Sequence, residues 1–568
     1  MPQVIIPKRI ISFLLFMDGV AAILLAVFAH VLGFDPSVGW GTSRFVLLAF
    51  GLLLLTASLY LARNKAAKYT SSEGMKTVFI FAHIWVVVFV VYAWFITYGT
   101  FTTWQKSTRY YAHLADAFSK GQLYVDIMPN AELLEANNPY DSEHRPQFDD
   151  EIWDMSLYKG KLYIYWGPVP ALLMAPFQAR SSKLLLDIYL VYGFLCGLFV
   201  INSLLIWKLW ERFFSDVPLW NILASMLLVA FILPILWSLN VPDVYEAAIG
   251  AGQFFLMGGI YFSFLALDTN RKRYLFLAGL FWACSVGSRA INAFSVAYLF
   301  VSTGVWIFKS QSGSLLYWRK SVPSIVSLLT PLLVGAILIG SYNWARFESP
   351  FEFGQRYQIT IYNLNRDAYL AFQPDYFPLN FYAYGLQPFE VTSGFPFIQP
   401  IQFSALLDHM KFVSPKLYAA GPMVGVLFYA PFLLFSLFPL FSKNNSAPQA
   451  SSTDTQRIKK FFILLLSGSL LINSTIILFY FYGQMRFLVD FVSQAALLAV
   501  IGYWGLVLGS LKLTSTRTRR YVHAANILLV ITLVFSFLLS FSSETQRMVK
   551  FNPALIETLN SIFTLQRK

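Results

Sequence analysis

The sequence predicts an all-α polytopic integral membrane protein with about thirteen transmembrane helices and large extracytoplasmic loops that hold short surface helices. Three observations lead there. Hydrophobic residues fill 57% of the 568 positions and charged residues only 12%, too few to cover a soluble chain of this size. Apolar stretches of about 18 residues or more, long enough to cross the hydrocarbon core, recur along the whole chain. Basic residues fall in short runs between those stretches, which is the usual signal of membrane topology.

In chain order, the apolar spans lie at roughly 10–33, 43–62, 77–99, 184–207, 217–239, 244–267, 274–308, 322–345, 414–441, 461–482, 487–511 and 522–542. The first follows Lys8 and Arg9 and has no small-residue cleavage site, so it reads as a retained helix rather than a removed signal peptide. The 274–308 span is too long for one crossing and carries Gly287-Ser288-Arg289 at its middle. It is expected to form two short helices meeting there.

Orientation follows from charge. With Lys8 and Arg9 in the cytoplasm, the loops expected on that side carry Arg63, Lys65 and Lys68, then Lys208 and Arg212, then Arg271–Arg273. Further on they carry Lys309, Arg319 and Lys320, then Lys443, Arg457, Lys459 and Lys460, then Lys512, Arg517, Arg519 and Arg520. Every such loop is basic, and the split at Arg289 is needed to keep the alternation. The N-terminus is therefore expected inside and the C-terminus outside. The net charge of +13 is accounted for by these runs, so no nucleic-acid partner is expected.

Two long outer loops result, 100–183 and 346–413, both dense in aromatics, Pro and carboxylates. Loops of this length are usually functional. The first holds Tyr111–Phe118, with the apolar spacing of a helix lying along the membrane surface. It also holds Val169–Phe177, too short to span and bracketed by prolines. The 442–460 stretch reads as a plain cytoplasmic linker. Cys196 and Cys284 lie inside apolar stretches, which excludes a disulfide framework.

Ionisable residues collect at the outer ends of the spans: Asp243 and Glu246, Arg289, Arg346 and Glu348, Arg356, Arg486 and Asp490. Charges at this depth are costly and tend to mark functional sites. Guanidinium groups hold phosphate through paired hydrogen bonds, so Arg289, Arg346, Arg356 and Arg486 are candidate phosphate ligands. Any one of them alone could equally cap a helix or snorkel to lipid. The first outer loop supplies Asp116, Asp126, Asp141, Asp149, Asp150, Glu151 and Asp154, any of which could serve as a general base beside a phosphate. His83, His113 and His409 are scattered without ligand spacing, so no metal site is expected. No phosphate-binding glycine loop, Gly-x-Ser-x-Gly or nucleotide signature occurs, and no cofactor is expected.

Taken in order, YYAHLADAFSKGQLYVD, NPYD, WDMSLYKGKLYIYWGPVPALLMAP, GSRAIN, YNWARFESPFEFGQRY and QMRFLVDF resemble the bacterial polytopic glycosyltransferases of the GT-C superfamily, near the protein O-mannosyltransferase and aminoarabinose-transferase branch. The resemblance covers about 77–511. It leaves two additional helices in 1–76, and a last helix with an outer tail in 512–568. It implies a bacterial inner-membrane enzyme that transfers a sugar, with inversion, from a polyprenyl-phosphate donor to an extracytoplasmic lipid, glycan or protein acceptor. An aspartate would activate the acceptor while basic residues hold the departing lipid phosphate. The family's aspartate lies just before the surface helix, and Ser107 stands there in this sequence. The base is then expected to be Asp154, which sits directly before the run leading back into the membrane, or Asp126. A transporter or flippase for a lipid-linked or anionic substrate is the alternative from another class. A non-catalytic envelope assembly protein derived from the transferase fold is a third.

Overall fold

A computed structural model describes residues 8–30, 34, 41–63, 72–102, 104, 107–310, 317–441, 453–512, 516–542 and 547–563. The basic positions Lys65, Lys68 and Lys443, and residues 442–452 of the expected linker, lie outside the described residues. The chain divides into two compact units, Met1–Gln105 with Val549–Leu555, and Lys106–Met548 with Ile556–Lys568.

The first unit holds α1 (Lys8–Phe28), α2 (Thr42–Arg63) and α3 (Ser72–Ile96). The first two pack where Gly19 meets Gly51. A Cβ on Gly19 would lie 2.9 Å from the Gly51 carbonyl oxygen, and one on Gly51 would lie 2.8 Å from that of Gly19. Small residues let apolar helices approach this closely when no hydrophobic force drives them together. Nearby, the Ser58 hydroxyl donates to the Ser12 carbonyl at 2.7 Å, adding a polar tie between the helices.

The second unit opens with α4 (Tyr110–Ser119) and a short helix α5 (Val169–Gln178). Asp187 secures the start of α4, accepting from the backbone N–H of Tyr110 (3.0 Å) and Tyr111 (3.1 Å) and from the Thr108 hydroxyl (2.6 Å). A carboxylate there satisfies amides that have no partner within the helix. Then come α6 (Ile188–Phe213), α7 (Leu219–Phe231) with α8 (Leu233–Asn240), α9 (Val244–Thr269), α10 (Lys272–Ser288), α11 (Asn292–Ser310), α12 (Tyr317–Phe347), α13 (Thr453–Leu478), α14 (Val489–Lys512) and α15 (Thr516–Ser540). Among the described residues, six helices are long and apolar enough to cross a membrane, or seven if α7 and α8, bent by 41°, form one span. The chain is a multi-pass, mostly helical membrane protein.

The expected pair at 274–308 is present as α10 and α11, and Arg289 follows the end of α10. The expected helix at 414–441 is not continuous. Only Val426–Tyr429 and Phe438–Phe441 are α-helical, with a 3-10 turn over Pro431–Leu437 between them. Pro415, Pro422, Pro431 and Pro439 remove backbone donors from a run that hydropathy alone reads as a helix. The segment still runs alongside α14. Ala419–Ala420 pairs in parallel with Tyr482–Gly483 just before Arg486, and a Cβ on Gly502 would meet the Phe435 carbonyl oxygen.

Candidate active site

Asp154 precedes a hairpin of two short strands, β1 (Ser156–Tyr158) and β2 (Lys161–Tyr163), closed by Lys159 and Gly160 at φ 50° and 75°. Two left-handed residues suit the turn to the twist of the strands, so Gly160 is well placed. Asp154 is itself left-handed, at φ 58°, a conformation that needs support from its surroundings. That support is visible. Its N–H donates to the Ile359 carbonyl at 2.9 Å, and Gln358 Nε2 donates to its carbonyl at 3.3 Å. The side chain is buried and accepts hydrogen bonds from the Tyr245 and Thr360 hydroxyls. Burial pushes its carboxyl above the usual carboxylate range, against the pull of those two donors and of Arg486 and Arg145.

Three arginines face the same space. Arg289 is clamped by Asp490, through Nε at 2.9 Å and Nη2 at 2.5 Å. Arg486 leans over the Tyr245 ring, 4.2 Å from its centre, and lies 3.6 Å from Glu246. Arg346, near the end of α12, is 3% exposed, and among the described residues no carboxylate pairs with it. It donates to the Ile164 carbonyl (2.6 Å) and to Asn343 Oδ1 (2.7 Å), while its buried Nε has no hydrogen-bond partner. The rings of Tyr342 and Phe347 lie 3.8 and 4.6 Å from its guanidinium and take up part of its charge.

Asp154, Arg289, Arg346 and Arg486 all line one cavity of about 310 Å³, with Trp166 and Tyr245 among its aromatic walls. These residues arrive from the segment between α4 and α5, the α10 tip, the end of α12 and the start of α14. Two expected site residues do not join them. Arg356 is exposed and rests near the neighbouring Tyr357 ring at 5.7 Å. Asp126 is exposed and held by Lys120 (2.5 Å) and Gln122 (2.6 Å), an ordinary solvated ion pair. The Ser107 hydroxyl donates to the Pro242 carbonyl and lies outside the cavity lining.

Sequence reasoning missed Tyr245, Thr360 and Gln358, the side chains that hold Asp154. Only Tyr245 carried a signal, since it falls between Asp243 and Glu246 in a charged helix start. Asp141, Glu143 and His144 have metal-ligand proximity, but they are surface residues outside the cavity and Asp141 already bonds His144 at 3.0 Å.

No protein-family model matches this sequence, and no curated protein matches it. Solved structures of an oligosaccharyltransferase from Archaeoglobus fulgidus are similar over much of the chain. The apo form is 13% identical, with a TM-score of 0.40, covering 82% of this chain and 56% of that one. The archaeal oligosaccharyltransferase AglB from the same organism, in complex with an inhibitory peptide and a dolichol-phosphate, is 12% identical, with a TM-score of 0.40, covering 86% and 60%. A form tethered to an acceptor peptide containing the NVT sequon is 11% identical, with a TM-score of 0.40, covering 82% and 55%. This chain thus spans little more than half the length of those structures. Likeness at this level assigns no activity and no residue role.

Proposed function

We propose that the chain is a membrane glycosyltransferase that moves a sugar from a polyprenyl-phosphate carrier to a hydroxyl acceptor. The observation that carries this reading is the meeting of Arg289, Arg346 and Arg486 with Asp154 around one cavity. Transfer from a lipid phosphate needs two things, a base for the acceptor and cations for the leaving group. Asp154 takes the acceptor proton as the acceptor oxygen attacks the anomeric carbon. The bond from that carbon to the phosphate oxygen breaks, the configuration inverts, and the phosphate leaves into the arginine cluster. Arg346 is the principal phosphate ligand, because it alone of the three has no carboxylate beside it.

In this reading the chain crosses a bacterial inner membrane about thirteen times, with the N-terminus inside and the cavity extracytoplasmic. The acceptor is then a lipid, glycan or protein of the envelope. No cofactor or metal is invoked. Asp154, reached from a different part of the loop, replaces the aspartate for which Ser107 stands. That substitution also favours a second reading, a non-catalytic assembly protein.

One experiment separates them. Envelope glycans and lipids from a deletion strain are compared by mass spectrometry, with complementation by the wild type or by Asp154→Asn. The transferase reading expects a missing sugar restored by the wild type alone. An unchanged envelope, or full restoration by Asp154→Asn, would overturn it.

A further inference from the structure

The helices that line the cavity at one end meet again at the other. Ala248 and Ile249 of α9, Gly287 of α10, Asn343 and Arg346 of α12 and Ile476 and Ile477 of α13 face the cavity, and Ala290 and Ile291 sit just ahead of α11. The opposite ends of these same helices surround a second hollow of about 810 Å³. From Ile249 to Ala266 along α9 is about 26 Å at 1.5 Å per residue, close to the thickness of a hydrocarbon core of about 30 Å. The two hollows therefore stand at opposite faces of the bilayer.

The second hollow is amphipathic. Its polar rim carries four cations, Arg271, Lys272, Lys309 and Arg457, against a single carboxylate, Asp454. Arg271, Lys272 and Arg457 are exposed and have no ion-pair partner among the described residues. The stretches next to it in sequence, 311–316 and 442–452, contain no Asp or Glu to neutralise them. Beneath the rim the wall is apolar, formed by Leu267, Leu275 and Ile307. Trp306 lines it too, stacked on Phe461 at 4.6 Å, an indole of the kind that sits at headgroup depth.

We propose that this hollow binds the headgroup of an anionic phospholipid, with the phosphate among the four cations and the chains along the apolar wall. Basic pockets between transmembrane helices hold lipid phosphates by charge and paired hydrogen bonds. A free phosphate would use the cations but not the wall. The proposal does not depend on the transfer reaction, and its test needs no activity.

Delipidated full-length protein is placed in phosphatidylcholine nanodiscs containing a minor fraction of phosphatidylglycerol, and retained lipid is counted by native mass spectrometry. Wild type is expected to retain phosphatidylglycerol in preference to phosphatidylcholine. R271Q/R457Q is expected to weaken that retention roughly thirtyfold, at about 1 kcal/mol per cation. R519Q/R520Q removes the same charge at the same face, away from the hollow, and is expected to bind as wild type. Should R271Q/R457Q fail to fold, the single reversal R457E carries the same threshold. Equal loss in both double variants, no loss in either, or displacement of the lipid by inorganic phosphate overturns the proposal.

Discussion

Arg289 and Asp490, 201 positions apart, share one carboxylate oxygen, with Nε at 2.9 Å and Nη2 at 2.5 Å from Asp490 Oδ2. The Asp490 carbonyl also receives Gln253 Nε2 and Asn473 Nδ2, each at 2.6 Å, so three helices are fastened to the start of α14. The pair is structural as much as electrostatic. It aims a cavity arginine and ties down the helix that begins beside it.

Removing one partner of a buried pair leaves an uncompensated charge, at a cost of about 3–5 kcal/mol. The Arg289 side chain is 17% exposed, which moderates this. Asp490→Asn should therefore destabilise by about 2 kcal/mol, and Arg289→Gln in the same chain should recover much of that loss. Thermal unfolding in detergent measures both. Additive losses in the double variant would show that the two side chains are not coupled.

Arg346 offers a different kind of prediction. Its two bonded nitrogens fix the plane of the guanidinium, and its Nε remains without a partner. Lysine keeps the charge but cannot reproduce that fork. Arg346→Lys is expected to raise the KM for a lipid-phosphate donor about tenfold, and Arg346→Gln to cost more, in both KM and kcat. Wild-type kinetics in the lysine variant would remove Arg346 as an oriented phosphate ligand.

Burial holds the Asp154 carboxyl above the usual range, and the Tyr245 hydroxyl opposes that shift. For an acid raised on folding, the folded chain keeps its proton where the unfolded chain has lost it. Its contribution to stability therefore falls as pH rises past the ordinary carboxylate range of about 4. Competence as a base runs the other way and grows with pH. The acid limb of the transfer rate should lie above about pH 4 in wild type and move higher in Tyr245→Phe. A pH–rate profile checks this, and an unmoved limb in Tyr245→Phe would separate Asp154 from the base.

Asp126 and Arg356 serve as controls. Both are exposed and neither lines the cavity. Asp126→Asn and Arg356→Gln should leave the transfer rate within about twofold and the unfolding temperature nearly unchanged, as is usual for surface ion pairs. A large loss in either would mean that the cavity is not the whole site.

The contrast between these residues tells how far the sequence could be read. Most of the long helices were legible, because hydropathy and basic runs report membrane crossings directly. The Gly287-Ser288-Arg289 break was legible because no helix of that length fits a bilayer. The 414–441 segment misled, since four prolines within an apolar run outweigh its hydropathy. Arg289, Arg346 and Arg486 could be found because charge at that depth is rare. Tyr245, Thr360 and Gln358 could not, since neutral polar side chains become notable only through contacts that span 91 to 206 positions of chain. Asp126 looked equivalent to Asp154 because sequence does not reveal that Lys120 and Gln122 hold one while burial surrounds the other.

The closest approach in the site involves no charged group. Gly167 sits in the loop between β2 and α5, against the tip of α10, where a Cβ would lie 2.2 Å from the Gly287 carbonyl oxygen and 2.6 Å from its carbonyl carbon. Both contacts are backbone, so no rotamer change relieves them. Gly167→Ala must separate the loop from the tip, and Arg289 is two residues beyond Gly287. Overpacking of this kind costs about 1–3 kcal/mol. The displacement should also lower transfer about a hundredfold, because small errors in position at a reacting centre are expensive. By contrast Gly160, which has open space around it, should tolerate alanine at a cost of about 1 kcal/mol from its left-handed backbone. Comparing the two variants for unfolding temperature and transfer rate tests whether contact between loop and tip sets the arginine's position. Equal behaviour of the two would mean that it does not.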